Sequence, residues 1–396
     1  MATAVIVDAL RSPGGKRFGQ LSGWHPADLA GEVLRALVER NDLDPALIDD
    51  VIMGCVMQVG SQSLNIGRNA VLAAGFPESV PATTIDRQCG SSQQSAHFAA
   101  QGVMAGAYDV VVAAGVEVMS TTPMGASVTA GSFPFGPKVL ERYAGVGGLV
   151  PQGISAEMIA DKWSLSREDL DGFGARSQQR ALQATEEGRF ENEILPVAAR
   201  PIDKETGKLI ESNAVVSSDE GIRPGTTAET LAKLKPAFKP DGKVTAGNSS
   251  QITDGASAVL IMSEEKATAL GLTPRARFHS FALAGVDPVT MLTGPIPSTA
   301  KVLEKSGLSV DDIDLFEVNE AFASVVLAWE KELHPDMDRV NVNGGAIALG
   351  HPLGCSGTKL MATLLHELER TGGRYGLQTM CEGGGMANAT IIERLG

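Results

Sequence analysis

The segment Asp42-Leu43-Asp44-Pro45-Ala46-Leu47-Ile48-Asp49-Asp50-Val51 recurs in altered form as Gly307-Leu308-Ser309-Val310-Asp311-Asp312-Ile313-Asp314-Leu315-Phe316, and Leu43/Leu308 and Ile48/Ile313 are both 265 positions apart. A repeat at this spacing in a chain of 396 residues predicts two units of similar design. The same offset carries Cys89 to position 354, inside a glycine-rich segment, and Gly115 to position 380, beside Cys381. Two such units packed face to face would bring the turn at Cys89 close to the turns at His351 and Cys381.

Each unit reads as α/β. Apolar strand-like runs alternate with amphipathic helices: Ala4 to Asp8, then Ala27 to Glu39, then Asp50 to Val56. The run Ala82-Thr83-Thr84-Ile85 precedes Cys89, a helical stretch Ser95 to Gly106 follows it, and a second apolar run covers Asp109 to Gly115. Cys89 therefore falls where a strand hands over to a helix. From Met119 to Ala246 the pattern breaks into turn-rich sequence with helical stretches at Ala156 to Trp163 and Arg167 to Glu187. We expect an insertion carried on the first unit, which gives three parts: 1–118 with 247–270, the inserted loop segment 119–246, and 271–396.

Composition narrows the function classes. With 43% hydrophobic residues the chain can bury a large core. No apolar run approaches the roughly 20 residues of a membrane-spanning helix, and the start lacks a basic, then apolar, export signal. The net charge of −14 opposes nonspecific binding to a polyanion such as nucleic acid. Locally the balance reverses: Arg223, Lys233, Lys235, Lys239 and Lys243 outnumber Glu229 and Asp241, enough to hold a small anion if the side chains are not simply a solvated face. The four cysteines (55, 89, 355, 381) lack disulfide-framework or zinc spacing, which fits a reducing, cytoplasmic setting. Gly344-Gly345-Ala346 does not match the dinucleotide fingerprint, and nothing fits a P-loop, so no nucleotide cofactor or metal is expected.

Four segments carry the chemistry: Arg87-Gln88-Cys89-Gly90-Ser91-Ser92, Asn319-Glu320-Ala321-Phe322-Ala323, Gly350-His351-Pro352-Leu353-Gly354-Cys355-Ser356-Gly357 and Cys381-Glu382-Gly383-Gly384-Gly385. A cysteine is a nucleophile as its thiolate, and a helix N-terminus or a nearby imidazole can lower its pKa from about 8.5. Cys89 is placed for the first effect and His351 for the second. The glycines after Cys381 allow backbone N–H groups to approach a substrate oxygen. Cys55, inside Val51-Ile52-Met53-Gly54-Cys55-Val56, reads as core, and Cys355 as packing.

In order and spacing these segments, with Gly247-Asn248-Ser249-Ser250 ahead of Asp254-Gly255-Ala256, resemble the thiolase family over almost the whole chain. The resemblance implies the thiolase fold: two similar α/β halves in a layered αβαβα core with an inserted loop domain. It also implies an acyltransferase that makes or breaks a carbon–carbon bond. Cys89 would be the nucleophile and His351 its base. Asn319 would position a water in a first oxyanion hole, Cys381 would move a proton at the α carbon, and the amides of Cys89 and Gly383 would form a second hole. Arg223, Thr230, Ser250, Ala321 and Phe322 match the family's coenzyme A contacts. Coenzyme A and acyl-CoA are then substrates, with no permanently bound cofactor, and a homodimer or homotetramer is implied.

The chain departs from short-chain biosynthetic thiolases in two places. Pro151-Gln152-Gly153 stands where those enzymes carry His-Met before a glycine, and Glu382 follows Cys381 in place of an aliphatic residue. The Cys-Glu-Gly-Gly-Gly form looks like degradative thiolases, some acting on bulky acyl groups, so thiolysis of 3-ketoacyl-CoA is the expected direction and acetoacetyl-CoA synthesis the alternative. Ketoacyl synthases pair their cysteine with two histidines, where this chain has Asn319 and His351. A papain-like hydrolase leaves Cys381 without a role. A noncatalytic lipid-binding relative is expected to lose catalytic residues that are present here.

Overall fold

The computed structural model describes residues 2–128 and 133–396. Strands β1 (Ala4–Arg11), β2 (Asp50–Gly54), β3 (Ala82–Ile85), β4 (Val110–Val118) and β5 (Thr253–Ser263) lie in the order β1-β5-β4-β2-β3. Strands β6 (Ala276–Gly285), β7 (Leu315–Val318), β8 (Tyr375–Glu382) and β9 (Met386–Arg394) repeat the plan as β6-β9-β8-β7. The first half holds two parallel pairs, β2 with β3 and β2 with β4, and the second half one, β7 with β8. The remaining links are antiparallel: β4 to β5 to β1, and β8 to β9 to β6. The halves join where Val5 and Ile6 pair with Arg277 and Ala276.

The offset of 265 survives in three dimensions. The single 3-10 turns Pro45–Leu47 and Val310–Asp312 are related by it, as are the first residues of β4 and β8 and of helices α3 (Ser91–Met104) and α8 (Ser356–Thr371). Helices α1 (Pro26–Arg40) and α2 (Ile66–Ala73) cover the outer face of the first sheet, and α6 (Pro295–Ser306) the outer face of the second. Between the sheets lie α3 and α8, with Ala96, Ala99 and Ala100 packed in one cluster with Met361, Ala362 and Leu365. Every residue of α8 from Ser356 to Leu368 is buried. A helix with no solvent face belongs in a central layer, and the small residues of α3 let the two helices approach closely. The result is the expected αβαβα arrangement.

The inserted segment differs from expectation in its packing. Its helices α4 (Gln152–Lys162) and α5 (Arg167–Glu186) lie on the second half, beside α7 (Ala323–Leu333), although they interrupt the first. Ser166 starts α5 through a capping box with Asp169. Ala156, Ile159 and Phe173 then enter the same core as Phe316, Val325 and Trp329. Burial of that apolar stripe, at roughly 25 cal/mol per Å², holds the insertion over the second half, an effect invisible in local sequence. Among the described residues no helix is long and apolar enough to cross a membrane.

Candidate active site

Helix α3 begins at Ser91, four residues earlier than the apolar pattern suggests, with Gly90 as its N-cap. That places Cys89 at the mouth of the helix. The turn before it is strained: Gln88 has a φ of 48°, in the left-handed region that side chains seldom occupy. It is held by Asp86 Oδ1, which accepts the Gln88 N–H at 2.6 Å, and by Ser91 Oγ, which accepts the Arg87 N–H at 2.9 Å. Gly90 leaves room for a neighbour here: a Cβ would lie 2.1 Å from Oε1 of Glu382, which would have to shift.

His351 follows Gly350, whose φ of 83° turns the chain out of the helical turn Ala346–Leu349. A Cβ on Gly350 would meet Thr253 Oγ1 at 2.3 Å, and that hydroxyl accepts the His351 N–H at 3.0 Å. The buried Lys359 ammonium donates to the carbonyls of Leu349 and Gly350 at 3.2 and 3.4 Å, and Glu117 accepts the Gly354 N–H at 2.9 Å. The loop is thereby fixed from three sides. Ser356 Oγ donates to the Pro352 carbonyl at 2.8 Å and lies 2.5 Å from His351 Nδ1. Since its own proton is committed to Pro352, the hydroxyl must accept Nδ1–H. This leaves a lone pair on Nε2, which faces Asn319 Nδ2 at 3.4 Å.

Cys381 is fully buried at the end of β8, opposite Ala387 of β9. The backbone N–H groups of Cys89 itself and of Gly383 lie where they favour negative charge on the Cys89 sulfur. A single cavity of about 210 Å³ is lined by Cys89, His351, Ser250, Ala321, Phe322 and Gln152, with Met119, Phe238 and Leu353 among its apolar walls. The backbone N–H of Ser250 donates to the Ala321 carbonyl at 3.0 Å, tying the return segment to the Asn319 loop. The Phe238 ring lies against Gly153, where a Cβ would come within 2.2 Å of it.

Burial governs the electrostatics. It pushes the Cys89 thiol up to about 12, helped by the nearby Glu382 carboxyl and opposed by the two N–H groups. It pulls His351 down to about 3, with Lys359 adding to the effect. The expected lowering of the Cys89 pKa is therefore not found in the free protein: the cost of an ion in a dry site exceeds what the helix end and imidazole return. The resting pair is a neutral thiol beside a neutral imidazole, and charge develops only as a substrate enters. Burial also raises the Cys381 thiol, as do the charges of Cys89 and Glu382.

The structure thus brings Cys89, His351, Asn319, Cys381, Gly383, Ser250, Ala321 and Phe322 together. Arg223 and Thr230 lie apart, exposed and outside the cavity lining; the Thr230 hydroxyl donates to the Thr227 carbonyl at 2.8 Å. Two lysines of the basic stretch are already committed, Lys239 and Lys243 pairing with Asp161 at 3.2 and 2.9 Å. Cys55 and Cys355 are both buried; Cys355 Sγ lies 3.1 Å from Ser257 Oγ. Ser356 and Glu117 escaped the sequence reading. The latter is a lone acid in the otherwise uncharged run Val110–Val118, a recognisable signal of a buried, fully hydrogen-bonded carboxylate; its oxygens accept from Val56, Met57, Gln62 and Gly354.

Comparison with known proteins agrees with this geometry. Residues 4–265 match the family model described as the thiolase N-terminal domain, and residues 272–394 the thiolase C-terminal domain. A steroid 3-ketoacyl-CoA thiolase of Mycobacterium tuberculosis is 51% identical over 400 residues, covering 100% of this chain and 95% of that protein. A 3-ketoacyl-CoA thiolase of Bacillus subtilis is 46% identical, covering 99% and 100%. Human mitochondrial 3-ketoacyl-CoA thiolase superposes with a TM-score of 0.89 at 39% identity, covering 100% of this chain and 99% of that one. Sequence, fold and the meeting of Cys89 with His351 on one cavity, Cys381 lying close to Cys89, lead to the same result: the chain belongs to the thiolase family.

Proposed function

We propose that this thiolase works in the degradative direction, cleaving a 3-ketoacyl-CoA with coenzyme A to give acetyl-CoA and a shortened acyl-CoA. The observation that carries the reading is the buried cavity at which Cys89 meets the Nε2 lone pair of His351, with the buried Cys381 thiol close enough to Cys89 to feel its charge. His351 Nε2 takes the thiol proton as Cys89 sulfur attacks the 3-keto carbon. The bond between C2 and C3 then breaks, leaving the acyl group on Cys89, while Cys381 gives a proton to C2 of the departing acetyl-CoA enolate. Coenzyme A gives its thiol proton to the Cys381 thiolate while its sulfur attacks the acyl-enzyme; the shortened acyl-CoA leaves, and Cys89 takes its proton back from His351. The N–H groups of Cys89 and Gly383, which favour negative charge on the sulfur, would hold the oxygen of the acyl group as it gains charge. Asn319 and His351 would hold the thioester oxygen of the enolate, in part through a water.

Coenzyme A would run from this cavity past Ser250, Ala321 and Phe322 towards Arg223 and Thr230 in the segment 119–246. Arg223, Lys233 and Lys235 are exposed there and make no ion pair among the described residues, which suits a phosphate-bearing ligand. Exposed apolar side chains such as Leu64, Leu72 and Phe98 support a homodimer or homotetramer, and four free cysteines favour the cytoplasm. Gln152, in place of a bulkier pair, and the apolar wall of Met119, Phe238 and Leu353 favour medium or bulky acyl groups. Each extra buried methylene contributes about 0.8 kcal/mol. The kcat/KM for thiolysis of 3-ketodecanoyl-CoA should therefore exceed that for acetoacetyl-CoA. A clear preference for the four-carbon substrate would move the protein to the short-chain acetyltransferases.

A further inference from the structure

Glu382 is a buried acid set against the Cys89 turn to which the mechanism gives no part. It is fully buried, and neither carboxyl oxygen has a hydrogen-bond partner among the described residues. A glycine at position 90 is what admits it: Oε1 occupies the space a Cβ would need, and Asn388 Nδ2 lies 2.7 Å from the same point while donating to the Gly90 carbonyl at 3.0 Å. The carboxyl thus sits against the residue that follows the nucleophile, at the end of the same helix. A purely structural acid in such a place would be tied by hydrogen bonds, as Glu117 is.

We propose that Glu382 tunes the nucleophile: its carboxyl shares one desolvated volume with the Cys89 sulfur, and it must be neutral for Cys89 to take an acyl group. Two anions cannot be held together cheaply where water is excluded, so the pair carries one negative charge at most. With Glu382 neutral, charge can develop on Cys89 under the N–H groups of Cys89 and Gly383. Once Glu382 has ionised, the helix end and these dipoles already face an anion, and attack on the thioester slows.

The groups around the carboxyl are Asp86, Arg87 and Cys89 from the turn, Cys381 from its own strand and the neutral Asn388 amide from β9. Burial raises Glu382 to about 8; Arg87 opposes the shift and Asp86 adds to it. Burial holds the Cys89 thiol up at about 12 and His351 down at about 3, so the proposal predicts an alkaline limb close to pH 8 set by Glu382.

The proposal rests on acylation at Cys89, and one experiment separates the two. Initial rates of protein acetylation by saturating acetyl-CoA are read by intact mass between pH 6 and 10 for the wild type, Glu382→Gln and Arg87→Met. The wild-type rate should fall above pH 8, approaching about tenfold per unit. Glu382→Gln should abolish the fall, and Arg87→Met, which removes the cation that favours the carboxylate, should move it to higher pH. A wild type acetylated at a constant rate through this range, or a limb unmoved in both variants, overturns the role of Glu382 alone. Should Glu382→Gln fail to fold, an unmoved limb in Arg87→Met is enough to reject it. A wild type that takes no acetyl group on Cys89 at any pH refutes the acyl-enzyme, and this role with it.

Discussion

Ser356→Ala tests the base at its least obvious support. Ser356 Oγ, which donates to Pro352, is the atom that obliges His351 to keep its proton on Nδ1. His351 is 3% exposed, so in the variant no solvent replaces the lost acceptor. An unsatisfied buried donor costs about 1–3 kcal/mol, and the imidazole avoids that cost by moving the proton to Nε2, where the Asn319 amide, turned to present its otherwise unpartnered Oδ1, accepts it. In that tautomer Nε2 cannot accept the Cys89 proton. The fraction of enzyme holding the competent tautomer falls by the same energy, so acylation should slow roughly 5- to 150-fold. Ser356 does not line the cavity, so KM should change less than kcat. Single-turnover acetylation followed by mass spectrometry reads the step directly, and Ser356→Thr, which keeps a hydroxyl, should restore most of the rate. A folded Ser356→Ala protein acylating within about twofold of wild type would refute the tautomer argument.

Cys381→Ala should still accept an acetyl group on Cys89, yet lose carbon–carbon cleavage by about 10² to 10⁴, the usual worth of a positioned acid or base; equal loss of both half-reactions in a folded variant would contradict the division between the cysteines. Gly90→Ala should lower thermal stability by about 1–3 kcal/mol through overpacking, because its Cβ falls on Glu382 Oε1. Adding Glu382→Ala should recover much of that loss as a non-additive pair, and additive melting shifts would show that the clash is relieved elsewhere.

Much of the architecture was legible because one offset relates elements that fold alike. The capped 3-10 turns at Asp44 and Ser309, the strands β4 and β8, and the helices α3 and α8 obey it. The packing of α4 and α5 was not, because an apolar stripe says that a helix is covered and not which half covers it. At the site, a cysteine at the start of a helix was readable from the turn, whereas its raised pKa was not: desolvation depends on walls such as Met119 and Leu353 that come from distant parts of the chain. The same holds for Glu382, whose neighbour Gly90 lies almost three hundred residues away. Arg223 and Thr230, expected beside the ligand, are exposed and outside the cavity, and a single-sequence motif cannot separate the mouth of a binding tract from its far end.

The most direct test of the account is the identity of the acylated residue. Incubation with acetyl-CoA, acid quench and peptide mapping should place one acetyl group on Cys89, and Cys89→Ser should lose both the adduct and turnover. A wild-type adduct on Cys381 or Cys355 instead, or undiminished turnover in Cys89→Ser, would contradict the assignment of Cys89 as nucleophile and with it the proposed mechanism.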